Sequence, residues 1–216
     1  MIEIYSAHIC QFVEAASHHI LSKRCLYPHG IFVSRLAFGV PIKVSIHPEV
    51  NRFIEDSLDG LASALDARNS EVEGIDMLII DYDGDLVEKY AFKFGCVKIR
   101  PKDRNVVADQ ELRPVNASPE TVQLLKTALS KLTLRINDVG PILNAKGCHF
   151  NFKIHANEQG AKAVLDNHAE SMPWESENCS DVILDFIAEH VPVLSGKEND
   201  YGFSIHIDSY NKDMQN

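Results

Sequence analysis

Two strand-length apolar runs, Ile75 to Tyr82 and Leu86 to Phe94, are joined only by Asp83-Gly84-Asp85. Asp-Gly is the favoured pair for a tight turn because both residues tolerate positive φ, so the runs fold back on each other as an antiparallel hairpin. On the second run Leu86, Tyr90, Phe92 and Phe94 share one face, and Glu88 interrupts it. Any fold for this chain has to bury that apolar face.

Helical patterns supply the cover. Ile9, Phe12, Val13, Ala16 and Ile20 recur at helical spacing over 6–25, with Ser6 in the N-cap position and Tyr27-Pro28-His29-Gly30 as the stop. A short extended piece, Ile42 to Ile46, follows Pro41. Pro48 then opens a second helix whose stripe is Val50, Phe53, Ile54, Ser57, Leu58, Leu61 and Leu65. After the hairpin, 95–117 loses periodicity and carries Lys98, Arg100, Lys102, Arg104 and Arg113 among acids, the pattern of a solvated loop. Ser118-Pro119-Glu120 starts a third helix with Val122, Leu125, Leu129, Leu132 and Ile136 inward. Phe150, Phe152 and Ile154 alternate on a further strand, and 157–174 is polar and weakly patterned. Two late strands are expected, Val182 to Ile187 and Phe203 to Asp208. This order, with no βαβ alternation and no internal repeat, predicts an α+β fold of three helices on an antiparallel sheet.

Composition narrows the function. The 216 residues suit one domain, and 45% hydrophobic against 24% charged residues rules out a disordered chain. No apolar run approaches a membrane span, and the first residues lack the flanks of a signal peptide, which predicts a soluble chain made in the cytosol. Cys10, Cys25, Cys96, Cys148 and Cys179 have no paired spacing and read as reduced thiols. A net charge of −10 opposes a phosphate backbone, so no direct nucleic-acid binding is expected.

Catalytic and metal patterns are sparse. Ile80-Asp81-Tyr82-Asp83-Gly84 resembles the first motif of haloacid-dehalogenase-type phosphatases, in which Asp81 would be the nucleophile and Asp83 the general acid. A strand follows where that family places a cap or crossover, and an acidic hairpin turn accounts for the string. Counted as a calcium loop from Asp81, the string puts Leu86 and Phe92 where glycine and glutamate belong. His18 and His19 are adjacent and leave a helix in different directions, and none of the ten histidines has zinc-site spacing. Surface or capping roles are expected for them. No enzyme activity, cofactor or metal is predicted.

Four strings in order carry a resemblance: Tyr27-Pro28-His29-Gly30-Ile31-Phe32, His47-Pro48-Glu49-Val50-Asn51-Arg52-Phe53-Ile54, Gly147-Cys148-His149-Phe150 and Pro173-Trp174. Together they are similar to the HORMA-domain accessory-subunit family of DNA polymerase zeta. The resemblance implies a single domain with a core over 1–156 and a C-terminal "safety belt" over 157–216 that closes on a partner peptide. It implies Tyr27, Phe53 and Trp174 as peptide contacts, and Val193, Ile205 and Ile207 as the surface for the Y-family deoxycytidyl transferase scaffold. It places Lys131 at a dimerisation face. The implied partners are the catalytic subunit of DNA polymerase zeta, that scaffold, and other HORMA proteins or cell-cycle regulators, in the nucleus and cytoplasm. A spindle-checkpoint role on the same fold is the alternative.

Overall fold

A computed structural model describes residues 3–94, 98–100, 117–142, 145–168, 187–194 and 203–210. The expected hairpin is its centre. Strands β4 (Val72–Ile80) and β5 (Leu86–Phe94) pair antiparallel from Gly74↔Lys93 to Ile80↔Leu86, and Gly84 turns the chain at φ +91°. Gly74 allows the strands their close approach, because a Cβ there would lie 2.3 Å from the Phe92 carbonyl oxygen. Outside β4 lies β7 (His149–Ala156); outside β5 lie β9 (Phe203–Tyr210) and then β8 (Ile187–Leu194). The antiparallel sheet therefore runs β7-β4-β5-β9-β8.

One sheet face is covered by helices α1 (Ser6–Lys23), α2 (Pro48–Asp66) and α3 (Pro119–Arg135), and the α+β class is as expected. Phe12 of α1 sits at the middle of the core, edge-on to Phe92 and Phe203 with ring centroids 6.1 and 5.4 Å away. Pro48 occupies the first turn of α2, and Ser118 caps α3 by accepting the Thr121 N–H at 3.2 Å. A small hairpin of β2 (Phe32–Ala37) and β3 (Val40–Ser45) lies on α1.

Several expectations need correcting. A fourth helix, α4 (Glu158–His168), packs on α2 where only a polar stretch was expected. Asn157 holds its start by accepting the Gly160 N–H at 3.1 Å. Tyr5, not Ser6, is the N-cap of α1, and the helix stops at Lys23 before Cys25 turns left-handed at φ 58°. Within the expected loop 95–117, Lys98–Arg100 forms β6, parallel to β1 (Glu3–Tyr5); 95–97 and 101–116 lie outside the described residues. Val182 to Ile187 lies outside them too, except Ile187, which begins β8.

His18 and His19 are neither exposed nor divergent. Both are buried, and both reach the free edge of β3, where His19 Nδ1 accepts the Lys43 N–H at 3.2 Å and His18 Nδ1 accepts the Ser45 N–H at 3.4 Å. An imidazole can accept there only when neutral. Burial lowers both to about 4, helped for His19 by Lys23.

Glu88 is explained by a long-range partner. Arg24, at the end of α1, gives Nε–H to Glu88 Oε2 at 2.9 Å and a second bond to Oε1, so the pair is bidentate. Tyr90 donates its hydroxyl to the same carboxylate at 2.7 Å, and Arg24 also donates to the Val139 and Gly140 carbonyls. All three side chains are buried.

Removing one partner of a buried pair strands the other charge. Arg24→Met is expected to cost about 3–5 kcal/mol in urea unfolding, and adding Glu88→Met should recover part of that loss. A double variant weaker than the single one would contradict this account.

A second expectation concerns pH. Glu14 is raised to about 7 by burial and by Glu55, opposite in direction to His18 and His19. The histidine contribution is full above about pH 6.5 and is lost as pH falls toward 4, whereas the Glu14 contribution is full below about 4.5 and is lost as pH rises through 7. Stability should therefore peak near pH 6.5 in urea titrations, and Glu14→Gln should remove the decline on the alkaline side.

Candidate partner-binding edge

The strand β7 has β4 as its only strand neighbour among the described residues, so its outer edge offers alternate N–H and C=O groups to an incoming strand. Beside this edge sits an aromatic cluster. Phe150 and Phe152 of β7 point toward the helices, where Phe53 of α2 lies edge-on to Phe150 at 5.1 Å and stacked toward Phe152 at 6.4 Å. Tyr27 meets Phe150 from the segment after α1, with centroids 6.3 Å apart. Phe150 and Phe152 are buried, whereas Phe53 and Tyr27 are half-buried and keep part of each ring accessible. Burial raises the Tyr27 hydroxyl above its ordinary value, so it remains a hydrogen-bond donor at neutral pH.

Local sequence dictates these positions. Arg24, anchored on Glu88, fixes the end of α1, and the Leu26 N–H returns to the Leu21 carbonyl at 3.3 Å, so Tyr27 leaves the helix toward β7. The first-turn proline sets α2, which puts Phe53 at the margin of its buried stripe rather than in the middle.

The structure thus brings Tyr27 and Phe53 together, with Phe150 and Phe152 as partners that sequence reasoning assigned only to a strand. Trp174 lies outside the described residues. Val193, Ile205 and Ile207 lie at the other side of the sheet, on β8 and β9, and all three point into the core. The neighbours that face outward are His190, Pro192, Ser204 and His206. The apolar-polar alternation of Phe203-Ser204-Ile205-His206-Ile207 was the available signal for that parity. Lys131 on α3 is half-buried.

The hairpin tip has a structural explanation. Asp81 Oδ1 accepts the N–H groups of Asp83 and Asp85 at 2.9 and 3.0 Å, holding the turn as an Asx-type motif. The carboxylates of Asp81, Asp83 and Asp85 come within 4.8 Å of one another, largely on the surface. Strand β5 leaves at once, at the point in the chain where a phosphatase cap would begin.

Comparison with known proteins places this geometry. No family model matches the chain. The mitotic spindle assembly checkpoint protein MAD2B of Homo sapiens is 31% identical over 167 residues, covering 77% of this chain and 72% of that protein. The chain belongs to the MAD2B family. The DNA polymerase zeta subunit 2 of Drosophila melanogaster is 24% identical over 173 residues, covering 80% of each. Among solved structures, a chain of the mitotic checkpoint complex superposes with a TM-score of 0.57 at 18% identity, over 95% of this chain and 98% of that one. The C. elegans protein HTP-1, solved bound to a HIM-3 closure motif, gives 0.59 at 12% identity over 94% and 89%. At those identities the likeness establishes the HORMA fold alone. In this MAD2B-family chain, the HORMA sheet presents the β7 edge and its aromatic margin.

The difference in burial between the rings is testable. Phe150→Ala should cost about 3–5 kcal/mol in chemical unfolding, as expected for a buried aromatic, and Phe53→Ala about half as much. Equal losses would make Phe53 a core residue rather than an accessible platform.

Proposed function

We propose that this protein is a non-catalytic adaptor of translesion DNA synthesis, which holds a peptide of the DNA polymerase zeta catalytic subunit against β7 under a belt formed by 157–216. The observation that carries this reading is the open β7 edge flanked by the half-buried rings of Tyr27 and Phe53. An extended peptide gains main-chain hydrogen bonds at such an edge, and the rings accept its prolines and apolar side chains. The relative named as a polymerase zeta subunit supports the choice of partner. Trp174 would close over the bound segment. The net charge of −10 agrees with reaching DNA through a partner rather than by direct contact. Work on damaged DNA places the protein in the nucleus, with a cytoplasmic pool.

The same adaptor would bridge to the Y-family deoxycytidyl transferase scaffold through β8 and β9. Because Val193, Ile205 and Ile207 pack inward, their part is to hold those strands flat, and His190, Pro192 and His206 would make the contact. Lys131 would lie at a contact with a second HORMA domain. A spindle-checkpoint role is the second reading, favoured by the relatives named as mitotic checkpoint proteins. It uses the same edge with a different peptide.

The test is peptide dissociation. With a polymerase zeta catalytic-subunit peptide, Phe53→Ala and Trp174→Ala should each weaken capture by about 2 kcal/mol or more, roughly thirtyfold, chiefly through faster release. A triple Val193→Ala, Ile205→Ala, Ile207→Ala variant should lower stability as well as scaffold binding. Tight binding of a cell-cycle regulator peptide with none of the polymerase peptide would favour the checkpoint reading. Magnesium-dependent phosphatase turnover lost in Asp81→Asn would overturn the adaptor.

A further inference from the structure

The face of the sheet turned away from the helices carries a row of alternating basic and acidic side chains that crosses all five strands. It begins at β7, where His155 Nε2 lies 2.9 Å from Asp76 Oδ2 on β4. Lys89 of β5 follows, with Nζ 2.9 Å from Asp208 Oδ2 on β9. Asp208 Oδ1 is 2.5 Å from His190 Nδ1 on β8. His206 stands beside this group, its Nε2 3.6 Å from Asp208 Oδ2 and its ring centroid 5.1 Å from that of His190. Asp76 and Asp208 are only 6% and 2% exposed. These contacts sit at aligned positions, since Lys89 pairs across with Asp208, and Asp208 with His190.

Within this cluster His206 is the unsettled member. Burial would raise Asp208, but hydrogen bonds from His190 and Lys89 outweigh it and keep the carboxylate charged. Burial holds His206 below the ordinary imidazole value; the pull of Asp208 in the other direction is opposed by His190, Lys89 and Lys93. Its surroundings are therefore His190 from β8, Lys89 and Lys93 from β5, and Asp208 from its own strand, while Tyr210 faces Lys89 and Asp208. Asp76 of β4 and His155 of β7 lie further along the row.

We propose that His206 is a proton sensor for the C-terminal strands: its protonation adds a cation beside Lys89 and Lys93, in a cluster where Lys89 and His190 already hold the carboxylate of Asp208, and this loosens β8 and β9 from β5. Among the described residues β8 ends the sheet and has β9 as its only strand neighbour, so it yields first. The sign follows from linkage. In released strands His206 regains its ordinary value, so the folded arrangement is fully stable above about pH 6.5 and weakens as pH falls below it. If 157–216 acts as the belt described above, mild acid would hasten release of the captured peptide; the sensor itself does not depend on that reading.

The test uses the full-length chain without peptide, followed by amide hydrogen exchange at pH 7.5 and 5.5 with intrinsic rates corrected. Amides of β8 and β9 should lose severalfold more protection than those of β4. His206→Gln should abolish that difference while β4 protection stays unchanged, which also confirms the fold. His155→Gln, at the far end of the row, should retain it. An equal loss in wild type and His206→Gln, or no selective loss in β8 and β9, would overturn the sensor. If the selective loss is found but release of a bound peptide is no faster at pH 5.5, the sensor stands and the belt reading fails.

Discussion

The Arg24–Glu88 pair joins three parts of the molecule by directed hydrogen bonds. It binds the end of α1 to the first half of β5 and, through the Val139 and Gly140 carbonyls, to the segment after α3. Apolar packing is directionless, and the core around Phe12 would tolerate small slides of the helices over the sheet. A bidentate guanidinium–carboxylate contact does not, because its two parallel bonds exist in one register only. The Tyr27 ring is carried on the same segment, three residues from Arg24. The aromatic margin of β7 thus inherits its position from a charge pair on the other central strand.

Much of this architecture was legible in the chain. The Asp83-Gly84 turn, the first-turn prolines of α2 and α3 and the Ser118 cap are local signals, and each appears in the structure where it was read. Elements that owe their existence to partners were not legible. Helix α4 has a short apolar stripe and a glycine at Gly160, and gains its stability by lying on α2. β1 and β6 are three residues each and form because the other is there. Glu88 looked like a flaw in an apolar face, since its counter-charge lies 64 positions earlier.

The site was legible only in part, and for a different reason. Periodicity assigns Phe53 to a buried stripe, and nothing in it separates a margin from a middle; the family resemblance singled the residue out. Strand β9 stands where it was expected, whereas β8 begins only at the last residue of the expected Val182 to Ile187 run, and on both strands the parity was missed. Choosing Val193, Ile205 and Ile207 selected the inward set, because apolar side chains read equally well as a core or as a docking surface until the sheet's covered face is known. The outward set is polar and histidine-rich, and the alternation over 203–207 is the one signal in the chain that marks it.

The strand order has a consequence for how the protein is made. β9 pairs along β5 from Glu88↔Ser209 to Phe94↔Phe203, inserting between β5 and the outermost strand. During synthesis the β5 edge and the faces of Phe12 and Phe94 wait uncovered while more than a hundred further residues leave the ribosome. Such late, distant pairing slows folding and leaves a sticky strand open to other nascent chains. Translation speed over the stretch between these strands, and chaperone occupancy during it, then bear directly on how much of the protein reaches its native state.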